Sequence, residues 1–250
     1  MTRGDSLGLA RTMRIDPDTL MRALDALPAA ADDRTVGDGL PALLDALCGV
    51  FGITGAGLML ADEVSGLRYV AATDEVAEAL EQVQEQAGAG PCVESFVNDA
   101  EVVVPDLETD ERWPAIRAPL AAAGVRSVLG VPTRLGGGPV GTLNVYCAEP
   151  RDWDQSERDA IRAFNTVLEG QIASAVAVRD HSRIVDQLQY ALENRVAIER
   201  AIGMLMAQHD LDAVAAFARL RRAARSSRRT VAVLAREILD GGGDAALEPT

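Results

Sequence analysis

Residues 188–239 read LQYALENRVAIERAIGMLMAQHDLDAVAAFARLRRAARSSRRTVAVLAREIL. A long run with apolar residues at helical spacing meets a polar break around His209, a second run ends in clustered arginines, and a third, short run follows. That spacing predicts three helices. In the second, Ala213, Ala216, Phe217, Leu220 and Ala224 share one face; in the third, Val231, Leu234, Ala235 and Ile238 do. These are expected core positions. Arg219, Arg221, Arg222, Arg225, Arg228 and Arg229 crowd the segment around the last turn. Cations this close repel one another, so the basic rim calls for a counter-charge.

The charge of the chain is divided along its length. Residues 1–184 hold 15 Arg against 29 Asp and Glu, residues 185–240 hold 9 Arg against 7, and every basic residue is arginine. An acidic body with a small basic module repels phosphate over most of its surface, which excludes indiscriminate nucleic-acid binding and leaves a local patch. The 250 residues allow one domain of about 150 residues and a smaller partner. No apolar run approaches the roughly 20 residues that cross a bilayer, and the N-terminus lacks the apolar segment of a signal peptide. A soluble, cytoplasmic protein without a membrane partner is expected. Cys48, Cys92 and Cys147 are too few and too far apart for a disulfide framework or a CxxC metal site, so free thiols are expected.

Working toward the N-terminus, Asp154 and Glu157 form a capping box ahead of Ile161, Phe164, Leu168 and Ile172. With Gly170 the only glycine between Pro150 and Gly203, one long helix over 154–200 is expected to join the two parts, staggered near Asp180–Arg183. A helix with a stripe this narrow usually pairs with another, which suggests a homodimer. Ser127–Thr133 and Val140–Tyr146 flank Gly136-Gly137-Gly138-Pro139 as a hairpin does. Ala56–Ala61 and Leu67–Ala72 form another hairpin, and Val102–Val104 a further strand. Asp74–Gln86 is amphipathic, and Leu40, Leu43, Leu44, Leu47 and Val50 mark a helix before the first hairpin. Ahead of that, Asp16 and Pro17 begin a helix carrying Leu20, Met21, Leu24 and Leu27. Paired strands without a βαβ rhythm imply an antiparallel sheet with helices on its faces, an α+β fold.

The segment ALENRVAIERAIGMLM, then AFARLRRAARSSRR and VLAREIL, resembles the ANTAR domain, the three-helix RNA-binding module of transcription antiterminators. Arg195, Ile198, Ala201, Gly203, Leu205, Met206, Ala216-Phe217, Leu220-Arg221 and Leu234-Ala235 carry the resemblance. Gly90-Pro91-Cys92, Asp106-Leu107, Arg112-Trp113-Pro114, Gly124-Val125-Arg126-Ser127 and Gly141–Tyr146 resemble a GAF domain of the kind found before ANTAR modules in actinobacteria. The implied organisation is an N-terminal extension (1–35), a GAF sensor domain (36–178), the long helix (154–200), an ANTAR domain (185–240) and a disordered tail (241–250). The chain departs from the ANTAR pattern at Ile202, where lysine is common, and at Arg228 and Thr230, where an asparagine and then a basic residue are common.

The resemblance implies a signal-responsive antiterminator that binds paired hairpins in a nascent leader RNA, with a small molecule or protein signalling to the GAF domain. It names no cofactor. Arg221, Arg222, Arg225, Arg228, Arg229 and Thr230 are the expected RNA-binding residues. Cys92, Phe96 and Trp113 are the candidates for a GAF ligand pocket. No catalytic or metal-binding set is expected: His181 and His209 stand outside any triad or metal spacing, and the Gly136–Pro139 run precedes a strand, as a turn does and a phosphate cradle does not. Two other readings follow from single features. The module could serve docking or dimerisation alone, given Arg228 and Thr230. Cys92 could act as a redox thiol, because a helix N-terminus lowers a thiol pKa.

Overall fold

The central strand of the sheet is β5 (Gly138–Cys147), which runs antiparallel to β1 (Gly55–Asp62) on one side and β4 (Ser127–Leu135) on the other. With β2 (Gly66–Ala72) and β3 (Val102–Val104) at the edges, the order is β2-β1-β5-β4-β3, antiparallel throughout. The computed structural model describes residues 36–63, 66–178, 183–242 and 247. The helix expected from Asp16, His181 and most of the expected tail lie outside the described residues.

Both faces of the sheet are covered, and the period of two along β5 separates them. Leu143, Val145 and Cys147 point toward α1 (Val36–Phe51) and α5 (Gln155–Val178), into a core with Leu44, Leu47, Leu58, Leu60, Phe164 and Leu168. Thr142, Asn144 and Tyr146 point the other way, toward α2 (Glu75–Ala87), α3 (Pro91–Asn98) and α4 (Pro114–Ala122). The β4–β5 turn places Gly136 and Gly137 at φ 57° and 81°, as a two-residue type I′ hairpin requires. The glycine run is a turn.

Helix α5 starts as its sequence predicts. The Glu157 N–H donates to Asp154 Oδ1 at 3.0 Å and the Asp154 N–H to Glu157 Oε2 at 3.0 Å, so two otherwise orphaned donors are satisfied reciprocally. The expected single helix over 154–200 is not what forms. Glu169 accepts the Arg134 N–H at 2.6 Å, while Leu192 lies against Gly136, two residues further along the same hairpin. In one straight helix Glu169 and Leu192 would stand about 34 Å apart at 1.5 Å per residue. Helix α5 and α6 (Arg183–His209) are therefore separate elements that return to one end of the sheet. The apolar stripe of α5 is buried within its own chain.

Helices α6, α7 (Ala213–Ser227) and α8 (Val231–Glu237) pack Ala201, Leu205, Ala216, Leu220, Ala224, Val231, Leu234 and Ile238 together, and a π turn (Ile238–Gly242) follows. Among the described residues no helix is long and apolar enough to cross a membrane. Replacing Asp154 by alanine removes one half of the capping box; we expect a loss of about 1 kcal/mol in urea unfolding, with an unchanged fold by circular dichroism.

Candidate nucleic-acid interface

The arginine cluster is shaped by the two helix ends that bracket it. Asp212 caps α7, its carboxylate accepting the Ala215 N–H at 2.7 Å. At the other end the Arg229 N–H donates to Ala224 O at 3.0 Å and the Arg228 N–H to Arg225 O at 3.3 Å, the paired bonds of a Schellman stop. That stop needs a left-handed residue, and Arg228 fills it at φ 55°, ψ 33°. Asparagine adopts this conformation more readily than arginine does, which gives the departure at this position a physical meaning. Thr230 caps α8 by accepting the Val233 N–H at 3.2 Å. Its hydroxyl is engaged in holding the helix.

The six arginines do not share a face. Arg222, Arg225 and Arg228 are exposed, and Arg219 is half-buried. Arg225 and Arg228 stand at the C-terminal end of α7, where the carbonyl ends supply part of the expected counter-charge. Glu237 supplies another part by pairing with Arg229, which also donates to Ser227 Oγ at 2.8 Å. Arg221 is turned away and is only 4% exposed. Burial, then the neighbouring Arg225, lowers its guanidinium from the usual value, with Glu85 acting the other way.

What buries Arg221 is the sheet domain. Phe217, one turn earlier on the same face and 2% exposed, inserts among Met59, Leu67, Cys92 and Val93. Its ring centroid lies 6.0 Å from that of Phe96 at an interplanar angle of 59°. Two glycines make room. A Cβ on Gly66 (φ 79°) would run into the Phe217 ring, and one on Gly88 (φ 65°) into the Arg221 guanidinium. The Val231 N–H donates to Glu63 O at 3.0 Å and completes the contact. Phe217 therefore belongs to the contact between the domains, whereas its spacing had marked it as core of the three-helix unit.

Inside the sheet domain Trp113 stands apart from Cys92 and Phe96, which share the cluster that receives Phe217. Trp113, under the Arg112 guanidinium, packs with Val102, Leu107, Ile116 and Tyr146. Phe96 faces α7. Cys92, at the start of α3, is fully buried. Its N–H donates to Gln84 Oε1 at 2.8 Å, and its thiol faces Glu81 Oε2 at 3.4 Å. Burial first, and then the Glu81 carboxyl, pushes the thiol well above its usual range. The helix N-terminus does not prevail, and a buried, protonated thiol is a poor nucleophile. The redox reading loses its support.

Glu81 is a further polar residue of this interior, on the helix that faces Cys92. It is fully buried beside Asn144, whose Nδ2 donates to Glu81 Oε1 at 2.8 Å, and a Cβ on Gly57 would strike its side chain. Burial pushes this carboxyl from 4.5 up to about 8, against the lowering effect of the hydrogen bonds from Asn144 and Cys92. A signal was present: Ala77, Leu80, Glu81 and Gln84 lie on one helical face, and all four are buried.

A family profile for the GAF domain matches residues 38–172 and one for the ANTAR domain matches residues 186–239. Both are regulatory modules. Among solved structures, the GAF domain of an Acinetobacter phosphoenolpyruvate-protein phosphotransferase is similar at 20% identity, over 64% of this chain and 94% of that one, with a TM-score of 0.51. A domain of a two-component sensor histidine kinase protein from Sinorhizobium meliloti 1021 is similar at 20% identity, over 59% and 100%, with a TM-score of 0.50. These likenesses concern the fold. No curated protein matches the chain in sequence.

Two outcomes are expected. Between pH 4.5 and 8 the folded state keeps a proton on Glu81 that the unfolded chain has released. Stability therefore falls with rising pH by about 1.4 kcal/mol per unit across that window and levels off above it. Glu81→Gln should flatten a urea-midpoint profile by that one proton. Arg228→Gly relieves the left-handed arginine, and a stability gain of up to about 1 kcal/mol is expected in the same assay.

Proposed function

This chain belongs to the GAF domain family, and on that premise we propose that it is a signal-responsive RNA-binding regulator whose ANTAR module binds paired hairpins in a nascent leader transcript and promotes antitermination. The observation that carries the reading is the division of the arginine cluster. Arg222, Arg225 and Arg228 are open to solvent, whereas Phe217 and Arg221 of the same helix are held by the sensor. Exposed guanidinium groups suit RNA phosphates and the splayed bases of loops. The acidic remainder of the chain confines that attraction to the module.

The held face supplies the control. An RNA that needs the Phe217–Arg221 side of α7 competes with the sensor for it, so a signal that favours the released arrangement raises the binding-competent population. Of the expected contacts, Arg222, Arg225 and Arg228 are proposed to meet the RNA first, with Arg221 joining on release. Arg229 and Thr230 shape the turn. The protein would act in the cytoplasm beside transcription, as a pair of modules for a pair of hairpins. Because the stripe of α5 is buried in its own chain, pairing is proposed to use Val196 and Val233, large apolar side chains left exposed at 50% and 41%.

The engagement of Arg229 and Thr230 within the module also favours the other reading, a docking element without RNA. Fluorescence anisotropy with a two-hairpin leader RNA separates the two. Under the RNA reading, the joint Arg222→Ala and Arg225→Ala change weakens binding at least tenfold and lowers the log–log salt slope by about 1.4, two phosphate contacts' worth. Salt-independent binding, or equal affinity in the variant, would leave docking. Light scattering of the free protein, read against Val196→Asp, tests the pairing.

A further inference from the structure

The joint between the two domains is incompletely packed. A cavity of about 70 Å³ lies there, with Phe96 on the sensor side, Ile198, Ile202 and Phe217 on the ANTAR side, and Asp62, Arg195 and Glu199 adding charge to a mainly apolar wall. In this measure one water needs roughly 10–15 Å³, so the space corresponds to a few waters or one ring of about six to nine heavy atoms. Apolar walls offer water few partners, which favours an organic occupant. The tilted Phe96 and Phe217 rings suit an aromatic edge or face.

We propose that this cavity binds a small, mainly apolar molecule, the size of one aromatic ring with a single polar substituent, and that its occupancy locks the ANTAR module against the sensor. The substituent is assigned to the charged side chains of the wall, Asp62, Arg195 and Glu199. Both walls are needed, so the site exists only while the module is docked. A ligand without a site on the released form stabilises the docked form by its whole binding free energy. The site is distinct from the interior between the sheet and α2, where Leu80, Glu81 and Asn144 are packed with no exposure. The consequence for RNA rests on the function proposed above; the site itself does not.

Isothermal titration of the full chain with phenol, benzyl alcohol and indole tests the site. Binding of at least one probe in the high-micromolar to low-millimolar range is expected, as the ligand-efficiency limits of so few atoms allow. Ala61→Leu and Ile202→Phe fill the space from opposite walls, and each should weaken the probe at least tenfold. No binding of any probe, or binding unchanged in both variants, overturns the site. If a variant fails to fold by circular dichroism, saturation transfer from bound indole to the Phe96 and Phe217 rings of the wild type decides, and its absence overturns the site. In anisotropy, saturating probe should lower RNA affinity at least fivefold in the wild type. RNA affinity indifferent to a bound probe overturns the lock, whereas probe binding in a chain with no RNA affinity sinks the RNA reading and leaves the site standing.

Discussion

The close approach of Phe217 and Arg221 to Gly66 and Gly88 governs how this chain is put together. An aromatic ring and a guanidinium reach the body of another domain because two backbone positions there carry no side chain. Both glycines have positive φ, where any other residue is strained. The requirements coincide, since the turn after α2 and the start of β2 need glycine for their own geometry and thereby leave the recess. Sensor and module meet where the sensor's turns are tightest.

Much of the fold was legible because its signals are local. The capping box at Asp154 and Glu157, the glycine turn between β4 and β5, and the alternation along β5 each act within a few residues, and each appears where the sequence puts it. Helix α4, opened by Pro114, went unread because Pro119 interrupts its pattern. The joining helix misled for a different reason. Periodicity reports that a face is apolar and says nothing of what covers it, so the α5 stripe, satisfied by its own sheet, resembled one awaiting a second chain.

The candidate site was legible only in part, for the same reason. A run of arginines announces a basic surface, but the burial that sets Arg221 apart from its exposed neighbour Arg222 depends on Phe217 finding a hydrophobic recess more than a hundred positions away. Glu81 illustrates the converse. Acidic residues are mostly solvated, so a carboxyl on a buried stripe is easily taken for surface; here Asn144 on the central strand and the bare Gly57 backbone accommodate it. The GAF interior holds a neutral acid and a protonated thiol together.

The hydrogen bond from the Val231 amide to the Glu63 carbonyl also bears on biosynthesis. A chain made from its N-terminus tends to fold domain by domain in that order, so the hairpin bearing Glu63 and the glycine recess are complete before α7 and α8 leave the ribosome. The module emerges onto a finished receiving surface and docks as it folds.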